Sequence, residues 1–158
     1  MTDWLNVPEN IEEYVGFIYE IENLISGLKY IGQKKFWVVS HYKPLKGNKK
    51  RRKRENESNW RTYYGSSKML LEDLKKVGKE NFKRTILYCC ESKSVMNYIE
   101  TMLQFENHVV FNDSYYNKIV NCRISENQIK NFRVHLLTLI ASRTPHKPSP
   151  DNNPTIGS

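Results

Sequence analysis

Apolar and other positions alternate roughly along Tyr14–Ile21 (YVGFIYEI), a stretch rich in aromatic and β-branched residues, and the pattern predicts a strand. Turn formers between Asn23 and Gly27 follow, and LKYIGQKKFW then reads as the returning strand of a hairpin. Residues 60–64 (WRTYY) predict a short extended piece before Gly65. From there the period changes. Ser66 and Ser67 are good helix caps, Leu70, Leu71, Leu74 and Val77 recur at helical spacing, and Gly78 ends the run. Phe82–Cys90 (FKRTILYCC) predicts a third strand, and Ser94 a second helix with Val95, Tyr98, Ile99, Met102 and Leu103 on its buried stripe. Glu100 falls at the edge of that stripe. Ser125 with Gln128 fits a capping box opening a C-terminal amphipathic helix that carries Ile129, Phe132, Leu136, Leu137 and Ile140. Four prolines after Ser142 predict a disordered tail. The outline is a small α+β unit: an irregular lead-in over 1–13, a folded domain over 14–120 with a basic insertion at 43–59, a helix over 121–142 and a tail over 143–158.

Charge changes this picture at one place. Lys and Arg number 25 against 17 Asp and Glu in 158 residues, a formal +8. Lys43–Arg54 (KPLKGNKKRRKR) holds eight cations and no acid, so this one run accounts for the whole excess. Such a run repels itself and predicts a mobile loop. Its plain reading is a solvated or targeting-like tract. Its functional reading is neutralisation of nucleic-acid phosphates by Lys49, Lys50, Arg51, Arg52, Lys53 and Arg54, which positions a partner without reading sequence. Three cysteines, two of them adjacent (Cys89 and Cys90), suit neither a disulfide framework nor a zinc site. No segment approaches the ~20 apolar residues of a membrane helix, and the N-terminus lacks the basic start and apolar core of a signal peptide. These features predict a soluble, reduced, cytoplasmic protein with DNA or RNA as partner and no membrane association.

Chemistry enters with two short strings on the paired strands. Gly16-Phe17-Ile18-Tyr19 is followed, eleven residues on, by Tyr30-Ile31-Gly32, then by Lys34 and Lys35, a lone Glu100 and Tyr116-Asn117. In this order the residues resemble the GIY-YIG nuclease superfamily, with a Phe intervening in the first half. The segment YYGSSKMLLEDLKKVGKENFKRTIL looks most like stand-alone phage and bacterial members of the homing-endonuclease type, which would place the protein in a bacterial or phage-infected cell. The resemblance covers about residues 14–120. It implies a three-stranded antiparallel sheet flanked by helices and a DNA endonuclease working through one site with Mg²⁺ or Mn²⁺. A single glutamate suffices for such an ion, which keeps several waters and takes phosphate oxygens as ligands. Glu100 matches the family's metal ligand. Tyr19 matches the proton acceptor or relay, a role that needs its phenolate favoured, for which Lys34 or Lys35 would serve. Tyr30 would orient water or phosphate, and Asn117 would hold the site together.

One departure concerns arginine. The family carries one on its first helix, eight or so residues past YIG, whereas Ser40-His41 stand there and no arginine precedes Arg51. Arg61, with Tyr64 as its aromatic companion, is the expected substitute on the scissile phosphate, ahead of Arg52 and Arg54. The alternative function is a catalytically inactive nucleic-acid-binding module of the same fold. Cutting both strands through a single site would require a homodimer or two successive encounters.

Overall fold

The computed structural model describes residues 3–43, 46–47, 52–123 and 125. The predicted helix beyond Ser125 and the tail lie outside the described residues, as do Lys49, Lys50 and Arg51. The fold is α+β. Strands β1 (Trp4–Leu5), β2 (Gly16–Asn23), β3 (Lys29–Lys35) and β6 (Phe82–Cys90) form one sheet in the order β1-β6-β2-β3. Strands β4 (Trp37–Tyr42) and β5 (Arg52–Glu57) form a separate two-stranded ribbon. Helices α1 (Lys68–Val77) and α2 (Lys93–Glu106) complete the described elements.

The expected three antiparallel strands are present as β3-β2-β6. The sheet has a fourth, because Trp4 and Leu5 pair in parallel with Arg84 and Thr85. The lead-in is therefore part of the fold, with Trp4 buried and its indole Nε1 donating to the Trp60 carbonyl at 2.9 Å. The basic insertion is also more ordered than a loop, since the backbone of 37–42 pairs with 52–57 in continuous antiparallel register. WRTYY differs too: Trp60–Thr62 form a 3-10 turn in place of an extended piece.

Strand β2 is the centre of the sheet, paired on both sides and buried along nearly its whole length. One of its faces contributes Phe17, Tyr19 and Ile21 to an aromatic cluster with Trp4, Phe36, Trp60 and Tyr64. The other contributes Ile18 to an aliphatic cluster with Ile31, Met96, Ile99 and Leu103. A bulge links the two. Ile18 pairs with Tyr88 but Tyr19 pairs with Ile86, so Leu87 is an extra residue. Adding one residue flips the faces of β6: Ile86 joins the aromatic cluster, and Tyr88, two positions on, packs on the aliphatic one.

Helix α1 is capped by the Ser67 hydroxyl, which accepts from Leu70 N, and buries Leu70 under the aromatic face. Helix α2 starts at Lys93, one residue before Ser94, because the Ser92 hydroxyl accepts from Val95 N at 3.2 Å and takes the cap. Its buried stripe runs Val95, Met96, Ile99 and Leu103, with Tyr98 and Met102 at the margins. Among the described residues no helix is long and apolar enough to cross a membrane.

Candidate active site

The register of the hairpin lays the two short strings side by side. Tyr19 stands opposite Gly32, and Ile21 opposite Tyr30. The Tyr19 ring lies directly across Gly32, so a Cβ there would sit 2.5 Å from its hydroxyl oxygen and 2.9 Å from the Tyr30 ring. Only glycine permits this close approach. The Tyr19 and Tyr30 ring centroids are 6.1 Å apart.

The outer edge of β3 is closed by the segment after α2. Lys29 N donates to the Ser114 carbonyl and Tyr116 N donates to the Lys29 carbonyl. One step further along the edge, the Asn117 side chain replaces a strand: its Oδ1 accepts from Ile31 N at 2.9 Å and its Nδ2 donates to the Ile31 carbonyl at 2.8 Å. Gln104 of α2 donates to the same carbonyl. Asn117 is buried, with both ends of its carboxamide bonded to the Ile31 backbone. Tyr116 pins α1, receiving a hydrogen bond from Asn23 and donating to Asp73.

Where this edge meets the start of α1, a cleft of about 430 Å³ opens. Tyr30, Ser66, Lys68, Glu100, Asn117 and Lys118 are on its walls. The Tyr30 hydroxyl is 3.2 Å from the Ser66 hydroxyl. The first turn of α1 faces the cleft with Ser67 and Lys68, bringing the positive end of the helix dipole to a place suited to an anion. Glu100 enters from α2 and is aimed by Gln33, the residue after YIG. Gln33 Nε2 donates to Glu100 Oε2 at 2.7 Å and to Asn97 Oδ1 at 2.8 Å. Burial raises the Glu100 carboxyl above its usual range, against the opposing effect of the Gln33 hydrogen bonds. No Lys, Arg or His among the described residues forms an ion pair with Glu100.

Tyr30, Glu100 and Asn117 are thus brought together as expected. Tyr19 is adjacent but only 1% exposed, and it does not line the cleft. Burial, followed by the neighbouring Tyr30 and Tyr63 phenols, pushes its pKa well above the ordinary 10. That is opposite to the direction a phenolate base requires. Lys34 shares the Tyr19 face, but its ammonium donates to Asn59 Oδ1 at 2.7 Å and lies 4.0 Å from the Tyr63 ring centroid. Lys35 projects on the other side, into a second cleft lined by Glu12, Glu13 and Trp37.

Arg61 and Tyr64 are not on the cleft. Arg61 Nε pairs with Glu57 at 2.8 Å, and its guanidinium lies over the Trp60 ring. Tyr64 is buried against the Arg84 guanidinium, 4.1 Å from ring centroid to charge centre. Arg84 is 2% exposed and was not singled out in the sequence. Its Nη1 donates to the Arg61 and Tyr63 carbonyls, and its Nη2 reaches Asp3. It therefore fixes the 3-10 turn that delivers Tyr63, the other residue not anticipated, to the Tyr19 hydroxyl. Lys53 and Arg54 are exposed on β5, and Arg52 is registered opposite Tyr42.

Among the described residues, no three His, Cys, Asp or Glu side chains gather into a self-sufficient metal cage. A half-buried carboxylate in no ion pair among the described residues, opening on a cleft with hydroxyl neighbours, nevertheless fits a hard, oxygen-seeking cation that takes its other ligands from water and substrate.

Residues 3–120 match the family model for the segE endonuclease GIY-YIG domain. No curated protein and no solved structure gives a significant match to the chain.

Proposed function

From the premise that the chain belongs to the segE-type GIY-YIG endonuclease domain family, we propose that it is a divalent-cation-dependent DNA endonuclease hydrolysing one phosphodiester at a time in the Tyr30–Glu100 cleft. The observation that carries the reading is Glu100: half-buried, oriented by Gln33, in no ion pair among the described residues and facing the first turn of α1 across the cleft. Bound Mg²⁺ or Mn²⁺ would supply charge neutralisation at the phosphoryl and leaving oxygens. Glu100 would hold it.

The chain's own groups divide the remaining work. The first turn of α1, with Ser67 and Lys68, receives the non-bridging phosphate oxygens through N–H groups and charge. Lys118, on the same wall, adds a second cation. Tyr30 reaches the cleft with its hydroxyl and orients the attacking water or the phosphate by hydrogen bonding. Tyr19 acts behind Tyr30 as a neutral phenol, its ring fixing the Tyr30 ring and Gly32. Arg61 is off the cleft, and Lys68 and Lys118, which line it, take the place expected for arginine.

The test is incubation of supercoiled plasmid with the protein in Mg²⁺ or EDTA, beside Glu100→Ala and Tyr30→Phe. Metal-dependent nicking should fall on the order of 10²–10³-fold in Glu100→Ala, the size expected when one preorganised electrostatic contact is lost. Duplex binding should persist. Among the described residues no arginine lines the cleft, which favours the second reading, an inactive binding module. Binding without cleavage of plasmid, branched or single-stranded DNA would select it.

A further inference from the structure

The β4–β5 ribbon has two chemically different faces, and its register assigns them. Val38 pairs with Asn56, and Ser40 with Arg54; between them Val39 pairs with Glu55, flanked by Trp37–Glu57 and His41–Lys53. Cross-strand partners share a face and successive residues alternate. One face therefore presents Val38, Ser40, Arg54 and Asn56 with no acid. The other carries both ribbon acids, and it is the one turned to the body of the protein: Trp37, Val39 and Glu55 line the second cleft together with Glu12 and Glu13. The acids gather on that side, where Lys53 is the ribbon cation, and the acid-free face is the more open of the two to a polyanion.

The acid-free face has the groups that read base edges in the major groove. A guanidinium donates to guanine O6 and N7, a carboxamide pairs with adenine N6 and N7, a hydroxyl serves either, and an apolar side chain meets the thymine methyl. Asn56 Nδ2 is held at 3.3 Å from Ser40 Oγ, which keeps two of these groups in one array. Size agrees as well. Each strand has six residues, about 20 Å of chain, and a two-stranded ribbon fits a groove about 12 Å wide. The root is rigid: Phe36 N donates to Val15 O, Ser58 N to Phe36 O and Ser58 Oγ to Lys35 O, and Phe36 and Trp60 are both fully buried. An arm so rooted is carried by the same strand, β3, that carries Tyr30.

We infer that the Val38–Ser40–Arg54–Asn56 face of the β4–β5 ribbon enters the major groove of duplex DNA and sets which sequence is presented to the cleft. The inference rests on the DNA-endonuclease reading and adds base readout to the phosphate contacts expected of the basic run.

The test is selection of bound sequences from a randomised duplex pool in EDTA, so that no cleavage is needed, on the full chain and on Arg54→Ala, Arg54→Lys, Asn56→Ala and Lys53→Ala. The parent should enrich a short motif. Arg54→Ala should relax one base pair of it by about 5- to 150-fold, the range of a good bidentate contact. Arg54→Lys should lose that base preference while keeping the salt dependence of binding, because charge is retained without the planar fork. Lys53→Ala, on the opposite face, should weaken all sequences alike and reduce the salt slope by about 1. An unchanged motif in Arg54→Ala and Asn56→Ala overturns the inference and leaves the endonuclease reading intact. No duplex binding by the parent, with no cleavage in Mg²⁺, overturns both.

Discussion

The four-stranded sheet and the β4–β5 ribbon leave β3 within two residues of each other and are stabilised on opposite terms. In the sheet, β2 is paired on both sides and covered on both faces, and its side chains are held by ring contacts and apolar packing. In the ribbon, Val38, Val39 and Tyr42 are each more than 40% exposed, and two strands alone are marginal in water. The difference separates two requirements of a nuclease. Groups around a scissile phosphate must be fixed before substrate arrives, whereas an arm that follows a groove gains from completing its packing on the partner. Trp60 sits where these regimes meet, fully buried within three residues of the end of β5.

Alkali offers the largest separation of the two regions. Burial raises the phenols of Tyr19, Tyr30, Tyr64, Tyr88, Tyr115 and Tyr116, all of which belong to the sheet body. An unfolded chain releases these protons near pH 10 while the folded one retains them. Above that pH the unfolded state binds fewer protons, so stability falls as pH rises, and it is fully present below about pH 10. Urea titrations from pH 8 to 11.5 should show a midpoint flat at first and then falling steeply, with tyrosinate absorbance appearing together with unfolding. A midpoint unchanged through pH 11 would mean the tyrosine cluster is not closed to solvent.

Trp60→Ala comes next. The indole meets Phe36 and Phe17 edge-on, at 5.1 and 5.9 Å between centroids, and its Nε1 donates to Glu57 at 2.7 Å. Truncating a buried Trp costs about 3–5 kcal/mol. Because the residue belongs to the core and the ribbon root together, a single cooperative transition at lower urea is expected. A separate early transition, with the sheet unaffected, would instead mark the ribbon as an independent unit.

These elements were unequally legible in the sequence. Strands β2, β3 and β6 and helix α1 announced themselves because each must bury one periodic face. β1 did not, because two residues carry no period and their partner lies eighty positions away. The ribbon was hidden by its charge: strand pairing there is a backbone property, and lysines and arginines at its tip mask any alternation. That Glu100, Tyr30 and Asn117 share one cleft was legible through their order along the chain, which survives insertions. Arg61 could not be judged that way, since it depends on Glu57 one turn earlier. The choice between Tyr63 and Tyr64 is made by Arg84, which takes the carbonyl of the first and stacks on the ring of the second. No local pattern encodes a contact across twenty residues of chain. The bulge at Leu87 is equally silent, yet it decides which face of β6 supports Tyr19.

The smallest effect is also the most local comparison. Gly32→Ala places a methyl 2.5 Å from the hydroxyl oxygen and 2.7 Å from the Cζ of the buried Tyr19. Overpacking of this kind costs about 1–3 kcal/mol. In a Tyr19→Phe background the cost should shrink, because one of the colliding atoms is gone, and the shortfall measures the coupling between the two halves of the paired strings. The matching change in the ribbon, Val39→Thr at a 52% exposed site, should stay within about 0.5 kcal/mol. Urea midpoints of the parent and the four variants decide the matter. If Gly32→Ala is as mild as Val39→Thr, the tyrosine layer is adaptable and does not pre-position Tyr30 for the cleft.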